Sequence, residues 1–151
     1  MKIAHSPVYL DTSALTKIYV EEPESDALEA ALLGRRDLVV SELCITEIAS
    51  ALARRIREGD LSQRHATKVY GQVATDLANG MFLRADISPD IHREAERLLL
   101  SVGRETPLRT ADALHAAMAV GHGCRAIVTY DQHLRAAIVA IGTLEVLPEE
   151  M

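Results

Sequence analysis

The constraint that most limits how this chain can fold is an alternation between two kinds of segment. Short runs, nearly all apolar, are too brief to be helices: Val8-Tyr9-Leu10, Leu38-Val39-Val40, Ala126-Ile127-Val128-Thr129 and Leu144-Glu145-Val146-Leu147, with a further strand expected within residues 81–87. Between them, apolar residues recur every three or four positions, as on one face of a helix: Ile45, Ile48, Leu52 and Ile56; Ala66, Val69, Val73 and Leu77; Ile91, Ala95, Leu98 and Val102. Strands with no polar face must be covered on both sides. The pattern therefore predicts an α/β fold, a mostly parallel sheet between two layers of helices. Helix boundaries are marked by Ser88-Pro89, by Thr110 as a cap, by Gly59 and by Asn79-Gly80. Thr12 and Ser13 are expected to cap a helix beginning near Ala14.

A chain of 151 residues without repeats or a long linker is expected to form one domain over residues 1–151. It carries 16 Lys and Arg against 22 Asp and Glu, a formal charge of −6, which argues against a nucleic-acid binder that works by basic charge alone. With aromatic residues at 3% and no Trp, binding by base stacking is excluded as the main device. No apolar run reaches the ~20 residues of a membrane helix, and residues 1–7 lack the pattern of a signal peptide. Cys44 and Cys124 form no CxxC pair and read as buried hydrophobes, so a cytoplasmic protein is expected.

In open parallel folds the functional crevice lies beyond the carboxyl ends of the strands. Acids stand there. Asp11 follows the first strand and Asp131 the strand ending at Thr129, while Asp112 and Glu47 lie early on the helices that follow Thr110 and the second strand. Any one of them has an ordinary explanation as a cap, a first-turn acid or a solvated residue, and Glu42 rivals Glu47. Together they would repel, since two like charges ~4 Å apart cost about 4 kcal/mol at an effective dielectric near 20. A cation among them relieves this, and oxygen ligands without His or Cys select Mg²⁺ or Mn²⁺ over zinc.

Leu10-Asp11-Thr12-Ser13-Ala14, Thr46-Glu47-Ile48, Ala111-Asp112-Ala113-Leu114-His115 and Thr129-Tyr130-Asp131, in that order, resemble the PIN-domain nucleases, and more narrowly the VapC-type toxin ribonucleases of toxin–antitoxin pairs. The resemblance implies a three-layer α/β/α sandwich and a metal-dependent endoribonuclease. Asp11, Glu47, Asp112 and Asp131 become its catalytic, metal-binding acids, with Glu47 chosen over Glu42. Thr12, Ser13 and Thr129 become hydroxyl groups orienting those acids. The resemblance also implies an RNA substrate, a homodimer and a cognate antitoxin that covers the active site.

His115 reads either as a general acid or base or as a helix histidine bonded to backbone or to a nearby acid, and the second asks for less. Lys17, Arg54 and Arg109, with Arg55, Arg57 and Arg104, are candidates to guide an RNA backbone, against an ordinary solvated role for each. The alternatives are a PIN nuclease outside a toxin–antitoxin pair, a non-catalytic α/β binding module whose acids are helix caps, and a phosphatase using Asp11 as nucleophile. The last is disfavoured because Asp11-Thr12-Ser13 has no second acid two positions on.

Overall fold

The computed structural model describes residues 1–149. Strands β1 (Val8–Leu10), β2 (Leu38–Ser41), β3 (Leu83–Ala85), β4 (Ala126–Val128) and β5 (Glu145–Leu147) form one sheet in the order β3-β2-β1-β4-β5. Every pairing is parallel. β1, β2 and β4 are buried along their whole length, whereas the edge strands β3 and β5 are partly exposed, as two-sided covering requires.

Helices α1 (Thr12–Tyr19), α2 (Ser25–Leu32), α3 (Glu42–Glu58) and α4 (Gln63–Ala78) pack together on one face. On the other, α5 (Pro89–Ser101), α6 (Thr110–Gly121) and α7 (Gln132–Ile141) pack in sequence, with a single 3₁₀ turn extending α5. The expected α/β/α sandwich with a parallel sheet is what the chain forms. α6 lies against the sheet through small residues, with Ala113, Ala116, Ala117 and Ala119 all buried. At its end Gly121 lets α5 come close: a Cβ there would stand 2.6 Å from Ile91 Cδ1.

The strand order positions the site. From β1 the chain steps outward to β2 and β3, then crosses back to place β4 on the other side of β1. The direction of winding reverses between β1 and β4, so the connections leaving these two strands diverge and open a crevice. Leu10 is in register with both Val40 and Val128, so the central strands end nearly level.

Two caps differ from the sequence expectation. α1 begins at Thr12, and its cap is Asp11, whose Oδ1 accepts from the Ala14 N–H at 2.9 Å, rather than Thr12 or Ser13. Both hydroxyls are occupied elsewhere. Arg109, not Thr110, occupies the cap position of α6, because Asp112 Oδ2 reaches back to accept the Arg109 N–H at 3.1 Å and closes the first turn one residue earlier. Gly59 ends α3 with φ 81°, the left-handed conformation that glycine adopts without strain.

Candidate active site

A cavity of about 510 Å³ opens at the carboxyl end of the sheet, and Asp11, Glu47, Asp112 and Asp131 all line it. Each arrives by a different route. Asp11 ends β1 and caps α1, and Asp131 caps α7 through Oδ1, which accepts from His133 N–H at 2.7 Å. Asp112 lies in the first turn of α6. Glu47 stands on α3 beside the buried stripe of Cys44, Ile48 and Leu52, and its helical neighbours Ala51 and Arg54 share the cavity wall. The rival acid Glu42 points elsewhere and pairs with Arg84 on β3.

Asp11 is buried, and burial raises its carboxyl above the usual range. The field of His115 and hydrogen bonds from Thr129, Ala14 and Ser13 oppose that rise. Thr129 Oγ1 donates to Oδ2 at 2.7 Å and Ser13 Oγ to Oδ1 at 2.7 Å. These hydroxyls also accept from the next strand connection: Ser13 Oγ takes the Tyr130 N–H at 2.8 Å, and Thr129 Oγ1 takes the Asp131 N–H at 3.1 Å. The two hydroxyls thus knit the end of β1 to the end of β4.

Glu47 is half-buried. Its Oε2 accepts from the Thr12 hydroxyl and lies 2.9 Å from His115 Nε2. Burial pushes this carboxyl up, but the hydrogen bond and charge of His115, with Thr12, leave it below its ordinary value. His115 is itself buried on α6, with Nδ1 2.8 Å from the Tyr9 hydroxyl. Burial disfavours its charged form, yet the adjoining Cys44 and Glu47 outweigh this and raise its pKa to about 10. Its contact with Glu47 matches the second sequence reading, a helix histidine bonded to a nearby acid.

The oxygens at the site suit a hard divalent cation, and Glu47 Oε1 and Asp112 Oδ1 accept no hydrogen bond from the described residues. The acids share the cavity without forming a finished cage: among the described residues no group of three or more His, Cys, Asp and Glu is arranged to hold an ion as it stands. Each carboxylate is engaged with a protein donor instead.

The cations expected to guide RNA behave differently. Lys17 lines the cavity but is buried, its ammonium committed to Glu22, Glu24 and the Pro23 carbonyl and lying 4.8 Å from the centre of the Tyr130 ring. Arg109 Nη1 faces Asp131 Oδ2 at 3.9 Å. Arg54 and Arg57 are exposed on the cavity wall and make no ion pair with the described residues; Arg55 beside them pairs with Glu22, and Arg104 does not line the cavity. Sequence reasoning passed over Tyr9. A tyrosine inside a fully buried strand needs a partner for its hydroxyl, and that requirement was the available signal.

The model of the PIN domain family matches residues 8–138. Ribonuclease VapC46 of Mycobacterium tuberculosis is 34% identical over 145 residues, spanning 93% of this chain and 97% of that protein. Ribonuclease VapC47 of the same species is 30% identical over 148 residues, spanning 93% and 96%. Among solved structures, M. tuberculosis VapC20, a sarcin-ricin loop cleaving toxin, matches with a TM-score of 0.70 at 18% identity, covering 92% of this chain and 98% of that one. VapBC2 of Rickettsia felis, bound to a DNA fragment from its promoter, matches with a TM-score of 0.67 at 14% identity, covering 92% and 96%. At these identities the structural likeness is one of fold.

Proposed function

The chain belongs to the PIN-domain family, and from that membership we propose that it is a metal-dependent endoribonuclease, the toxin of a VapBC-like toxin–antitoxin pair. One observation carries the reading: Asp11, Glu47, Asp112 and Asp131, distant in sequence, line a single cavity at the switch point of the sheet. An acid used only as a helix cap has no reason to share a cavity with three others. The curated relatives are named ribonucleases, which supports RNA as the substrate class.

The four acids would hold Mg²⁺ or Mn²⁺, which supplies Lewis-acid chemistry at the phosphodiester and acidifies the attacking water. The chain's own groups do the remaining work. Thr129 and Ser13 orient the Asp11 carboxylate, and Thr12 orients that of Glu47. Arg54, Arg57 and Arg109 bring positive charge to the cavity wall, where an RNA backbone would pass. With four acids assigned to a cation, the remaining acidic and basic residues nearly balance, so the formal charge of −6 does not oppose RNA binding.

A cognate antitoxin would cover this cavity, and the toxin would act as a homodimer. Toxin–antitoxin complexes among the solved structures of the same fold support such a partner. Among the described residues no helix is long and apolar enough to cross a membrane, and both cysteines are buried and free, in keeping with an enzyme of the cytoplasm. The test is cleavage of RNA in Mg²⁺, with and without EDTA, comparing the parent with Asp11→Asn. Cleavage that stops in EDTA and in the variant supports the proposal; cleavage undiminished in both ends it. Growth arrest on expression, relieved by co-expressed antitoxin, tests the toxin assignment separately.

A further inference from the structure

The acids are not held alike. Asp11, Asp112 and Asp131 each accept a backbone N–H near the start of a helix, so the fold itself fixes them. Glu47 stands within α3 and accepts no backbone N–H from the described residues. Its carboxylate is held by side chains alone, through Oε2, between the Thr12 hydroxyl and His115 Nε2.

His115 is not a histidine satisfied by the backbone of its surroundings, since both ring nitrogens meet side chains. Behind it runs a continuous buried file. Nδ1 meets the Tyr9 hydroxyl at 2.8 Å, which donates to Ser41 Oγ at 2.7 Å; Ser41 Oγ donates to Cys44 Sγ at 3.3 Å, and Cys44 Sγ to the Leu10 carbonyl at 3.4 Å. Tyr9 also meets the imidazole edge-on, with ring centres 5.8 Å apart and planes at 70°. The file draws on β1, the end of β2, the start of α3 and α6, and it ends on a carboxylate that faces the cavity. Buried polar files are costly unless every member is satisfied, and this one is: no buried side-chain nitrogen or oxygen among the described residues lacks a partner.

We infer that His115 is a positioning residue for Glu47: backed by Tyr9 and Ser41, it fixes the Glu47 carboxylate through Oε2 so that Oε1 is left free toward the cavity. The inference rests on the nuclease reading above and adds to it a residue of the cavity wall that acts by holding Glu47. Among the four acids its ring hydrogen-bonds only to Glu47, so its main effect on the reaction runs through that carboxylate and is separable from a general contribution to folding.

The test measures cleavage of RNA in Mg²⁺ and calorimetric affinity for Mn²⁺, with thermal melting as the control for folding, in His115→Leu, His115→Gln, Tyr9→Phe and Glu47→Gln. Losing such an outer contact typically costs about 10–100-fold in metal affinity or activity, and that loss is expected in His115→Leu for both readouts. His115→Gln, which keeps a donor toward Glu47, recovers most of it. Tyr9→Phe gives a smaller loss in the same direction. In the Glu47→Gln background, His115→Leu still lowers the melting temperature but causes a much smaller further loss of cleavage and Mn²⁺ affinity.

A folded His115→Leu with parental cleavage and affinity overturns the inference, as does an undiminished further loss in the Glu47→Gln background. If His115→Leu does not fold, a reduced Tyr9→Phe beside a near-parental His115→Gln supports it, and a parental Tyr9→Phe overturns it. Asp11→Asn separates the two levels. If Asp11→Asn is dead while His115→Leu is intact, only the positioning role fails; if Asp11→Asn is fully active, the nuclease reading fails and takes the inference with it.

Discussion

The Thr129 hydroxyl donates to the buried Asp11 carboxylate at 2.7 Å, joining the first residue beyond β4 to the first residue beyond β1. The same oxygen accepts the Asp131 N–H at 3.1 Å, so one hydroxyl sets the place of two of the four acids. Thr129→Val keeps the shape and removes both bonds. It should destabilise the fold by about 1–3 kcal/mol, the cost of unpairing buried polar groups, and lower RNA cleavage, whereas Thr129→Ser should stay near the parent. Urea unfolding and cleavage assays on the two variants check this.

Arg54 and Lys17 line the same cavity but should fail differently when removed. Arg54→Ala takes away an exposed cation with no ion pair among the described residues, so it should weaken RNA binding and reduce the dependence of log K on log salt by about 0.7–1. Lys17→Ala strips one of two cationic partners from Glu22, which keeps Arg55, as well as the partner of Glu24 and a cation from the face of Tyr130. It should lower the melting temperature and leave the salt slope nearly unchanged. Binding titrations with the Asp11→Asn protein at several salt concentrations distinguish the two.

Acid stability should depend on Asp37. Burial works to raise its carboxyl, but bonds from Ser6 and the Arg35 guanidinium prevail and hold it below 3.8. A depressed folded pKa contributes stability that is fully present above the unfolded value of about 3.8 and lost as pH falls through the folded one. Asp37→Asn should therefore flatten the loss of stability below pH 4 and cost about 1 kcal/mol or less near neutrality, since the pair is partly exposed. Urea unfolding between pH 2 and 7 measures it.

The close approach of α5 and α6 can be probed at Gly121. Gly121→Ala gains up to about 1 kcal/mol of helix propensity but drives a methyl against Ile91 Cδ1, where overpacking costs about 1–3 kcal/mol. The substitution should be neutral to mildly destabilising in the parent. In an Ile91→Val background the obstructing methyl is gone, and Gly121→Ala should become stabilising. A double-mutant cycle by thermal melting reads the coupling.

The layers of the fold were legible in the sequence because wholly apolar strands such as Val8-Tyr9-Leu10 allow only a covered parallel sheet. The acids following those strands were legible for the same reason, since a parallel sheet puts its strand ends at one edge. Two caps differ for different reasons: Thr12 gives its hydroxyl to Glu47 across the fold and leaves Asp11 to cap α1, while at α6 Asp112 reaches back to the Arg109 N–H and closes the first turn one residue before Thr110 would. Lys17 looked like an exposed cation because nothing local reveals that the segment from Glu22 to Glu24 folds back onto it. The Tyr9–His115 contact spans 106 residues and could come only from the assembled sheet.

Asp112 and His115 occupy successive turns of α6, the helix whose alanines rest directly on the sheet. One carboxylate therefore rides on this helix, and the prop beneath another rides with it. A bulkier side chain at Ala113 or Ala116 would lift α6 and spoil two corners of the acid quartet in a single displacement. Tolerance to substitution along that buried face should accordingly be narrower for RNA cleavage than for folding.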